Sequence, residues 1–345
     1  MTAEIHKLPV LVINPHGTCN CRCAMCDIWK RTTLEEIGPD LFDRQLADIE
    51  RLGVEWVVFS GGEPLLHADL FRKAAELRRR NIRVTLLSSG LLLSRHAVQI
   101  VTHFDDVIVS LDGPRAVHDR IRGISRAFDL VAGGIRCIHK ERPGFPVSGR
   151  CTLQRANCSQ LMATVAAARE IGLASLSFLA ADIHSTAFNR QPIPMIEELN
   201  IVAPLRDDVL RLDAQIEELI ETGLSGPVEG GYVRESPEKL RRIAQRFRSY
   251  FGDETAVAPQ CNAPWTSAVV EADGAVRPCF FQPAFGRIGI ETGLADILNG
   301  PEATGFRAHL NMRTNPICRK CVCSLNWKSP ETLLSIDNLS IVPVL

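Results

Sequence analysis

Six short apolar, β-branched runs, each followed by a stretch of helical periodicity, fill the first half of the sequence and leave very few architectures open to it. The runs are Pro9 to Asn14, Val54 to Ser60, Ile82 to Ser88, Val107 to Leu111, Val147 to Leu153 and Leu173 to Leu179. Between them, Phe42, Leu46, Ile49 and Leu52 share one helix face, and similar patterns cover Leu70 to Arg80, Arg95 to Thr102, Ala127 to His139 and Gln160 to Ile171. Strict alternation of this kind reads as an α/β fold with a parallel sheet, either doubly wound or curled into a barrel.

The rhythm breaks after about Ile183. A proline-interrupted stretch, Gln191 to Pro194, precedes an amphipathic helix carrying Val209, Leu212, Ile216, Leu219 and Ile220. A glycine-bearing loop, Gly226 to Pro237, leads to a second one with Leu240, Ile243, Phe247 and Tyr250. This is the pattern of a helical connector. From Pro259 to about Trp327 short strands and turns return, and Ser267 to Glu271, Asp273-Gly274 and Ala275 to Arg277 read as a hairpin.

Charge narrows the partners. The 345 residues carry 39 Lys and Arg against 40 Asp and Glu, a net charge of -1, which gives no electrostatic case for wrapping nucleic acid or docking on an anionic membrane. The Arg78 to Arg80 run and the Arg241, Arg242, Arg246 and Arg248 group read as solvated helix faces. No apolar stretch approaches the roughly 18 to 20 residues of a membrane span, and Met1 to Val12 lacks the pattern of a secretory signal, so a cytoplasmic protein is expected. In that setting the 12 cysteines stay reduced, which favours metal ligation or catalysis over a disulfide framework.

The cysteines are unevenly placed. Cys19, Cys21, Cys23 and Cys26 crowd onto one loop directly after the first predicted strand. Three thiolates spaced as Cys19, Cys23 and Cys26 suit three irons of a [4Fe-4S] cluster and leave the fourth open; a structural zinc loop is the competing use. The stretch Ser60-Gly-Gly-Glu-Pro64 closes the second strand, at the strand end where parallel sheets bind ligands. Its glycines let backbone approach a ligand, and Glu63 can accept hydrogen bonds from an ammonium group.

Together these motifs make Val10 to Leu179 resemble the radical S-adenosylmethionine (SAM) enzymes. The resemblance implies a partial (β/α)6 barrel of TIM type, with Cys19, Cys23 and Cys26 as ligands of a SAM-binding [4Fe-4S] cluster and Cys21 as a bystander. It further implies Gly61, Gly62, Glu63 and Pro64 at the methionyl amine, Ser110 at the SAM ribose or carboxylate, and Ser88 and Ser89 in the same pocket. Two positions depart from the family pattern. Met25 stands where an aromatic residue usually covers the adenine, and Arg150 is the candidate for the SAM carboxylate because the Gly-x-Ile-x-Gly-x-x-Glu pattern sometimes found after the fifth strand is absent.

A second cysteine set lies in the last quarter. Cys261 and Cys279 bracket the hairpin and Cys318, Cys321 and Cys323 follow. Four thiolates in this order also describe a zinc ribbon. Beside the first set, they resemble the auxiliary-cluster extension of radical SAM enzymes known as twitch or SPASM. That likeness implies one auxiliary [4Fe-4S] cluster on Cys261, Cys279, Cys318 and Cys321, with Cys323 spare or replacing Cys321. The organisation expected is a partial barrel over 1–185, a helical connector over 186–258, an auxiliary-cluster domain over 259–330 and a tail over 331–345.

The resemblance implies reductive cleavage of SAM to a 5'-deoxyadenosyl radical, abstraction of a substrate hydrogen atom, and a net oxidation completed through the auxiliary cluster. An external reductant such as a flavodoxin or ferredoxin is then required. Asp182 and His184, past the sixth strand, are candidates to bond substrate or take its proton. Gln154 and Arg155 are divided between substrate contact and loop hydrogen bonding. Cys137, Cys151 and Cys158 read as small buried residues. A small biosynthetic intermediate is the expected substrate, with a ribosomal peptide as the alternative. A non-catalytic zinc-binding interaction protein explains the cysteine pairs but not the Gly-Gly-Glu-Pro strand end.

Overall fold

The computed structural model describes residues 3–190, 201–226 and 231–328. All six expected strands form: β1 (Val10–Ile13), β2 (Trp56–Phe59), β3 (Arg83–Ser88), β4 (Asp106–Ser110), β5 (Val147–Leu153) and β6 (Leu176–Ala180). Each pairs in parallel with its neighbour in sequence, and the sheet stays open, as in a partial (β/α)6 barrel.

Strand parity explains why the runs are almost continuously apolar. Leu11, Ile13, Val57, Phe59, Val84, Leu86, Val107 and Val109 point to the helices and join Phe42, Leu46, Leu70 and Ile100 in the main core. The opposite parity, Val10, Val12, Trp56 and Val58, forms a second small cluster inside the barrel, on which Phe280 and Trp327 pack. Toward the carboxyl ends of the strands this inner face turns polar. Ser110, Arg150 and Ser177 lie side by side in register across β4, β5 and β6.

The outer edge of β6 is covered. Leu176 N donates to Tyr232 O at 2.9 Å, Arg234 N donates to Leu176 O at 2.9 Å, and the buried Glu235 carboxylate accepts from Phe178 N at 2.8 Å. The two connector helices are Arg206–Glu221 and Pro237–Tyr250, with Val209, Leu212, Ile216, Leu219, Leu240, Ile243 and Phe247 turned inward as read from sequence and Tyr250 exposed. The second starts on Ser236, whose hydroxyl accepts from Lys239 N, with Pro237 in the first turn. Gln191 to Pro194 and the 331–345 tail lie outside the described residues.

Two elements differ from the sequence expectation. The hairpin of β7 (Ser267–Val270) and β8 (Ala275–Arg277) does not stand apart. It joins the barrel sheet, β7 pairing in parallel with β1 from Val10 against Ser267 to Ile13 against Val270, and β9 (Gly286–Arg287) adds a further strand. All four β7 residues are buried, as a strand covered on both faces requires. A helix, Arg115–Arg122, also follows β4. Only Val117 and Ile121 mark its inward face by hydropathy; the other buried positions are His118 and Arg122, polar residues that periodicity counts as exposed.

Candidate functional site

The first cysteine loop hangs from three neighbouring elements. Arg22 N and Ala24 N donate to Arg122 O and Ile121 O at 2.9 and 3.2 Å, Glu63 N donates to Thr18 O at 2.9 Å, and Asp27 N donates to Phe188 O at 3.1 Å. Gly123 ends the helix Arg115–Arg122 in the left-handed region at φ 65°, and a Cβ there would lie 2.8 Å from Arg22 O. The helix and turn after Ser110-Leu-Asp-Gly113 thus suspend the cysteine loop.

Three of the four thiols in this loop accept N–H bonds. Cys19 Sγ accepts from Cys21 N at 3.5 Å, Cys23 Sγ from Arg122 Nη1 at 3.6 Å, and Cys26 from the Ile28 backbone. Cys21 instead bonds through its thiol to Cys19 and Cys23, which pushes its own thiol up and theirs down, Cys23 to about 7 with help from the Arg122 charge. Burial pushes Cys26 up to about 12. Arg122, itself buried, is fixed by Asp112 at 2.6 Å. N–H donors on sulfur are what an iron-sulfur cluster uses to spread its negative charge, so Cys19, Cys23 and Cys26 fit the cluster.

The Gly-Gly-Glu-Pro turn is pressed against this loop. A Cβ on Gly62 would lie 1.9 Å from Thr18 O, and Gly61 sits at φ 98° with Asn14 2.8 Å from where its Cβ would be. Only glycines allow that approach. The Glu63 side chain is fully buried and already engaged, accepting from Ser88 Oγ at 2.9 Å, Ser89 N at 2.7 Å, Ser89 Oγ at 2.5 Å and Leu65 N at 3.2 Å. An ammonium group would therefore meet the backbone of this turn, not the carboxylate. His16, which sequence reading passed over, locks it: its Nε2 donates to Glu63 O at 2.7 Å while Thr18 donates its hydroxyl to Nδ1.

The remaining candidates separate by strand parity. Ser110 and Arg150 share the inner face, Arg150 donating from Nε to Ser177 Oγ at 3.3 Å. Ser88 pairs with Val109 and so faces the helices, where its hydroxyl serves Glu63; it is not in the row of Ser110. Gln154 continues the inner parity of β5. It is fully buried, and both its amide atoms lack a partner among the described residues. Met25 packs against Ala181, Ile183, Val202 and Ala203, an apolar wall beyond β6.

Asp182 and His184 are occupied within the protein. The Asp182 carboxylate pairs with Arg190 at 2.8 Å and accepts from His184 N and Ser185. His184 Nδ1 accepts from Arg246 at 2.8 Å, and burial together with the Arg246 charge brings the ring down to about 4, so it is neutral. These two residues tie the β6 loop to the helix Pro237–Tyr250.

Cys261, Cys279, Cys318, Cys321 and Cys323 line one cavity with Val12, Phe280 and Phe281. Burial pushes the Cys279 thiol up to about 12 and raises Cys318, Cys321 and Cys323 as well. A metal that ligates a thiol takes its proton's place, and its charge offsets the burial that raises these thiols. Sulfur acceptors are again dressed: Ala263 N donates to Cys261 at 3.4 Å, the Phe281 and Gln282 backbone to Cys279, and Gln282 Nε2 to Cys318 at 3.3 Å. Among the described residues, no three His, Cys, Asp or Glu side chains converge on the position of a single metal ion.

Phe188 stands between the two cysteine sets. Its ring packs on Phe280 and Phe281 at 5.9 and 6.1 Å, its carbonyl accepts from Asp27 N, and its backbone is left-handed at φ 61°. A bulky residue held there costs about 1–3 kcal/mol, which the two phenylalanine contacts and the bond from Asp27 N offset.

A partial barrel with one dressed cysteine loop at its carboxyl end and a second cysteine cavity beside it defines a protein with two thiol-rich metal sites. Family models agree on both halves: the radical SAM superfamily matches residues 13–155, and the SPASM iron-sulfur cluster-binding domain matches residues 261–322. The chain belongs to the radical SAM superfamily, with a C-terminal SPASM domain, and its cofactors are SAM, a SAM-binding [4Fe-4S] cluster and auxiliary iron-sulfur.

Among curated relatives, the chain is 26% identical over 283 residues to Fe-coproporphyrin III synthase of Methanosarcina barkeri, covering 76% of this chain and 68% of that one. It is 32% identical over 159 residues to pre-heme d1 synthase of Dinoroseobacter shibae (44% and 38%) and 31% over 140 residues to PqqA peptide cyclase of Gluconobacter oxydans (40% and 38%). The matches to these last two span well under half of either relative. The fold is shared with SuiB of Streptococcus suis bound to S-adenosylmethionine, at TM-score 0.63, 15% identity and coverage of 93% and 73%. It is also shared with anSMEcpe bound to AdoMet and the Cp18Cys peptide, at 0.65, 19%, 90% and 85%. Among the described residues no helix is long and apolar enough to cross a membrane.

Proposed function

We propose that this chain is an oxidoreductase that takes a hydrogen atom from a small biosynthetic intermediate and completes a two-electron oxidation through its auxiliary site. The observation that carries the reading is the presence of two separately dressed cysteine sets bridged by Phe188. When bound, SAM and its cluster supply the 5'-deoxyadenosyl radical. The protein contributes position. Cys19, Cys23 and Cys26 hold the cluster, the Gly61-Gly62 backbone meets the methionyl amine, and Ser110 and Arg150 face the carboxylate from adjacent strands. Gln154 supplies an unpaired amide at the same strand end, and Met25 with its apolar wall excludes water from the adenine side. Cys261, Cys279 and Cys318 hold the auxiliary cluster, and Cys321 or Cys323 completes it. Asp182 and His184 act as positioning residues for the β6 loop.

The relatives named Fe-coproporphyrin III synthase, pre-heme d1 synthase and AdoMet-dependent heme synthase make a carboxylate-bearing tetrapyrrole the first substrate to try. The likeness to PqqA peptide cyclase supports a peptide as the second. The test is anaerobic reconstitution with counts of iron, sulfide and zinc, then assay of 5'-deoxyadenosine with each substrate. About eight irons per chain, SAM cleavage and substrate-dependent transfer of deuterium into 5'-deoxyadenosine are expected. Zinc in place of iron, with no cleavage, overturns the reading and returns the chain to a zinc-binding interaction protein.

A further inference from the structure

Asn14 follows β1 on the inner parity of Val10 and Val12, and its side chain is buried. Its backbone N–H donates to Val270 O at 2.8 Å, which carries the pairing of β1 with β7 one residue further. That places Asn14 beside Glu271, and Asn14 Nδ2 donates to Glu271 Oε2 at 2.8 Å. A carboxylate only accepts, so the amide must turn its NH2 toward Glu271 and its oxygen away. Among the described residues Asn14 Oδ1 has no hydrogen-bond partner. A buried amide oxygen without a donor carries a desolvation cost that the N–H of a ligand removes.

The position of that oxygen selects the ligand. A Cβ on Gly61 would lie 3.2 Å from Asn14 Oδ1, so the oxygen stands against the Gly-Gly turn. An amino group held in that turn brings N–H donors and needs acceptors. Glu63 has none to spare, since the hydroxyl of Ser88 and the N–H and hydroxyl of Ser89 already engage its carboxylate. Asn14 supplies the missing one, and the pull of Glu271 on its NH2 polarises the amide toward its oxygen. The amine of an adenine is a poorer match, because the apolar wall on which Met25 packs lies beyond β6, at the other end of the barrel strands from β1.

Glu271 does not come from the barrel strands β1 to β6. It lies within residues 261–322, which the SPASM model matches. Arg277 pairs with it, Nε to Oε1 at 3.4 Å, and donates from Nη1 to Gln282 O at 3.0 Å. Gln282 in turn donates to Cys318 Sγ. The carboxylate behind Asn14 is thus anchored in the wall of the five-cysteine cavity.

We propose that Asn14 Oδ1 accepts a hydrogen bond from the methionyl amino group of SAM, and that Glu271 of the C-terminal domain is the positioning residue that aims it. The proposal rests on the reading that the Gly61-Gly62 backbone meets that amino group. The C-terminal domain then completes the SAM site besides holding its own thiols.

The experiment measures equilibrium binding of SAM to the cluster-loaded full chain and, separately, of 5'-deoxyadenosine, which has the base and ribose but no methionyl group. Asn14→Leu is expected to weaken SAM binding by about tenfold or more and to leave 5'-deoxyadenosine at the parent affinity. Glu271→Ala is expected to weaken SAM binding by about threefold or more with the same selectivity. Glu271→Gln, whose amide oxygen still accepts from Asn14 Nδ2, should restore most of that loss. Parent-level SAM affinity in Asn14→Leu or Glu271→Ala, or equal losses for the two ligands, overturns the proposal. If Asn14→Leu does not fold, the contrast between Glu271→Ala and Glu271→Gln decides it. The reading beneath fails separately. Retained SAM affinity in Gly62→Ala removes the Gly-Gly turn from the methionyl site, whereas loss there with parent-level SAM affinity in Asn14→Leu removes the present proposal alone.

Discussion

At the scale of single residues, the tightest constraint is Gly62. Its missing Cβ leaves room for a backbone carbonyl, which cannot swing aside as a side chain can. Gly62→Ala is expected to lift the Gly-Gly-Glu-Pro turn off the cysteine loop, abolish SAM binding in equilibrium dialysis, and destabilise the fold by about 2 kcal/mol or more. Retained SAM affinity would contradict the placement of the methionyl group there. Gln154 makes the opposite kind of prediction. A buried amide without partners costs stability, so Gln154→Leu should leave the melting temperature unchanged or higher while weakening SAM or substrate binding. Unchanged affinity for both ligands would leave Gln154 without a binding role. Arg122 donates to Cys23, and removing that positive charge in Arg122→Gln should make the SAM-binding cluster harder to reduce, read as a more negative midpoint in an EPR titration. The cysteines and glycines of this site were legible in the sequence because their spacing is local. The bond of Arg122 to Cys23 and the role of His16 were not, since each meets its partner across a long stretch of chain: Arg122 lies 99 residues from Cys23, and His16 lies 47 residues from Glu63.

Among the secondary-structure elements, those with strong hydropathy patterns were legible and those held by polar contacts were not. Six strands and the two connector helices follow from periodicity because each buries a continuous apolar face. The helix Arg115–Arg122 escapes it because its inward positions include His118 and Arg122. The partner of β7 could not be read from its residues either, since a short run of Ser, Ala and Val fits the edge of a hairpin as well as the middle of a sheet. The covered edge of β6 depends on Glu235, a buried carboxylate that caps Phe178 N and pairs with Lys239. Glu235→Ala leaves both unmatched, and a loss of about 2–4 kcal/mol is expected in urea denaturation of the cluster-free chain. Glu235→Gln, which keeps an acceptor for Phe178 N, should cost less. Equal losses would place the whole effect on Lys239.

For the molecule as a whole, buried histidines tie stability to pH. Burial brings His67, His118 and His184 down to about 4, whereas an unfolded chain has them near 6.5. As pH falls from 6.5 toward 4 the unfolded chain takes up protons that the folded chain refuses, so stability drops, by at most roughly 3 kcal/mol per ring. Above 6.5 their contribution is constant. Glu63 and Glu235 act with the opposite sign, because burial raises them and protonation relieves it. The histidine share is therefore best read by difference. His67→Asn, which keeps an acceptor for Asp69 N, should flatten the change in urea midpoint between pH 6.5 and 4.5. An unchanged slope would mean that His67 is protonated in the folded chain.

The pairing of β7 with β1 fixes a distance. The loop of Cys19 to Cys26 follows the carboxyl end of β1, and Cys261 and Cys279 flank the hairpin of β7 and β8, whose first strand pairs with β1. Four registered residue pairs tie the strands that carry the two cysteine sets into one sheet. Were clusters held at both sites, an electron passing between them would cross a span anchored in one continuous sheet. A chain cut after residue 258 would lose more than an accessory lobe. It would expose the hydrogen-bonding edge of the very strand from which the first cysteine loop is hung.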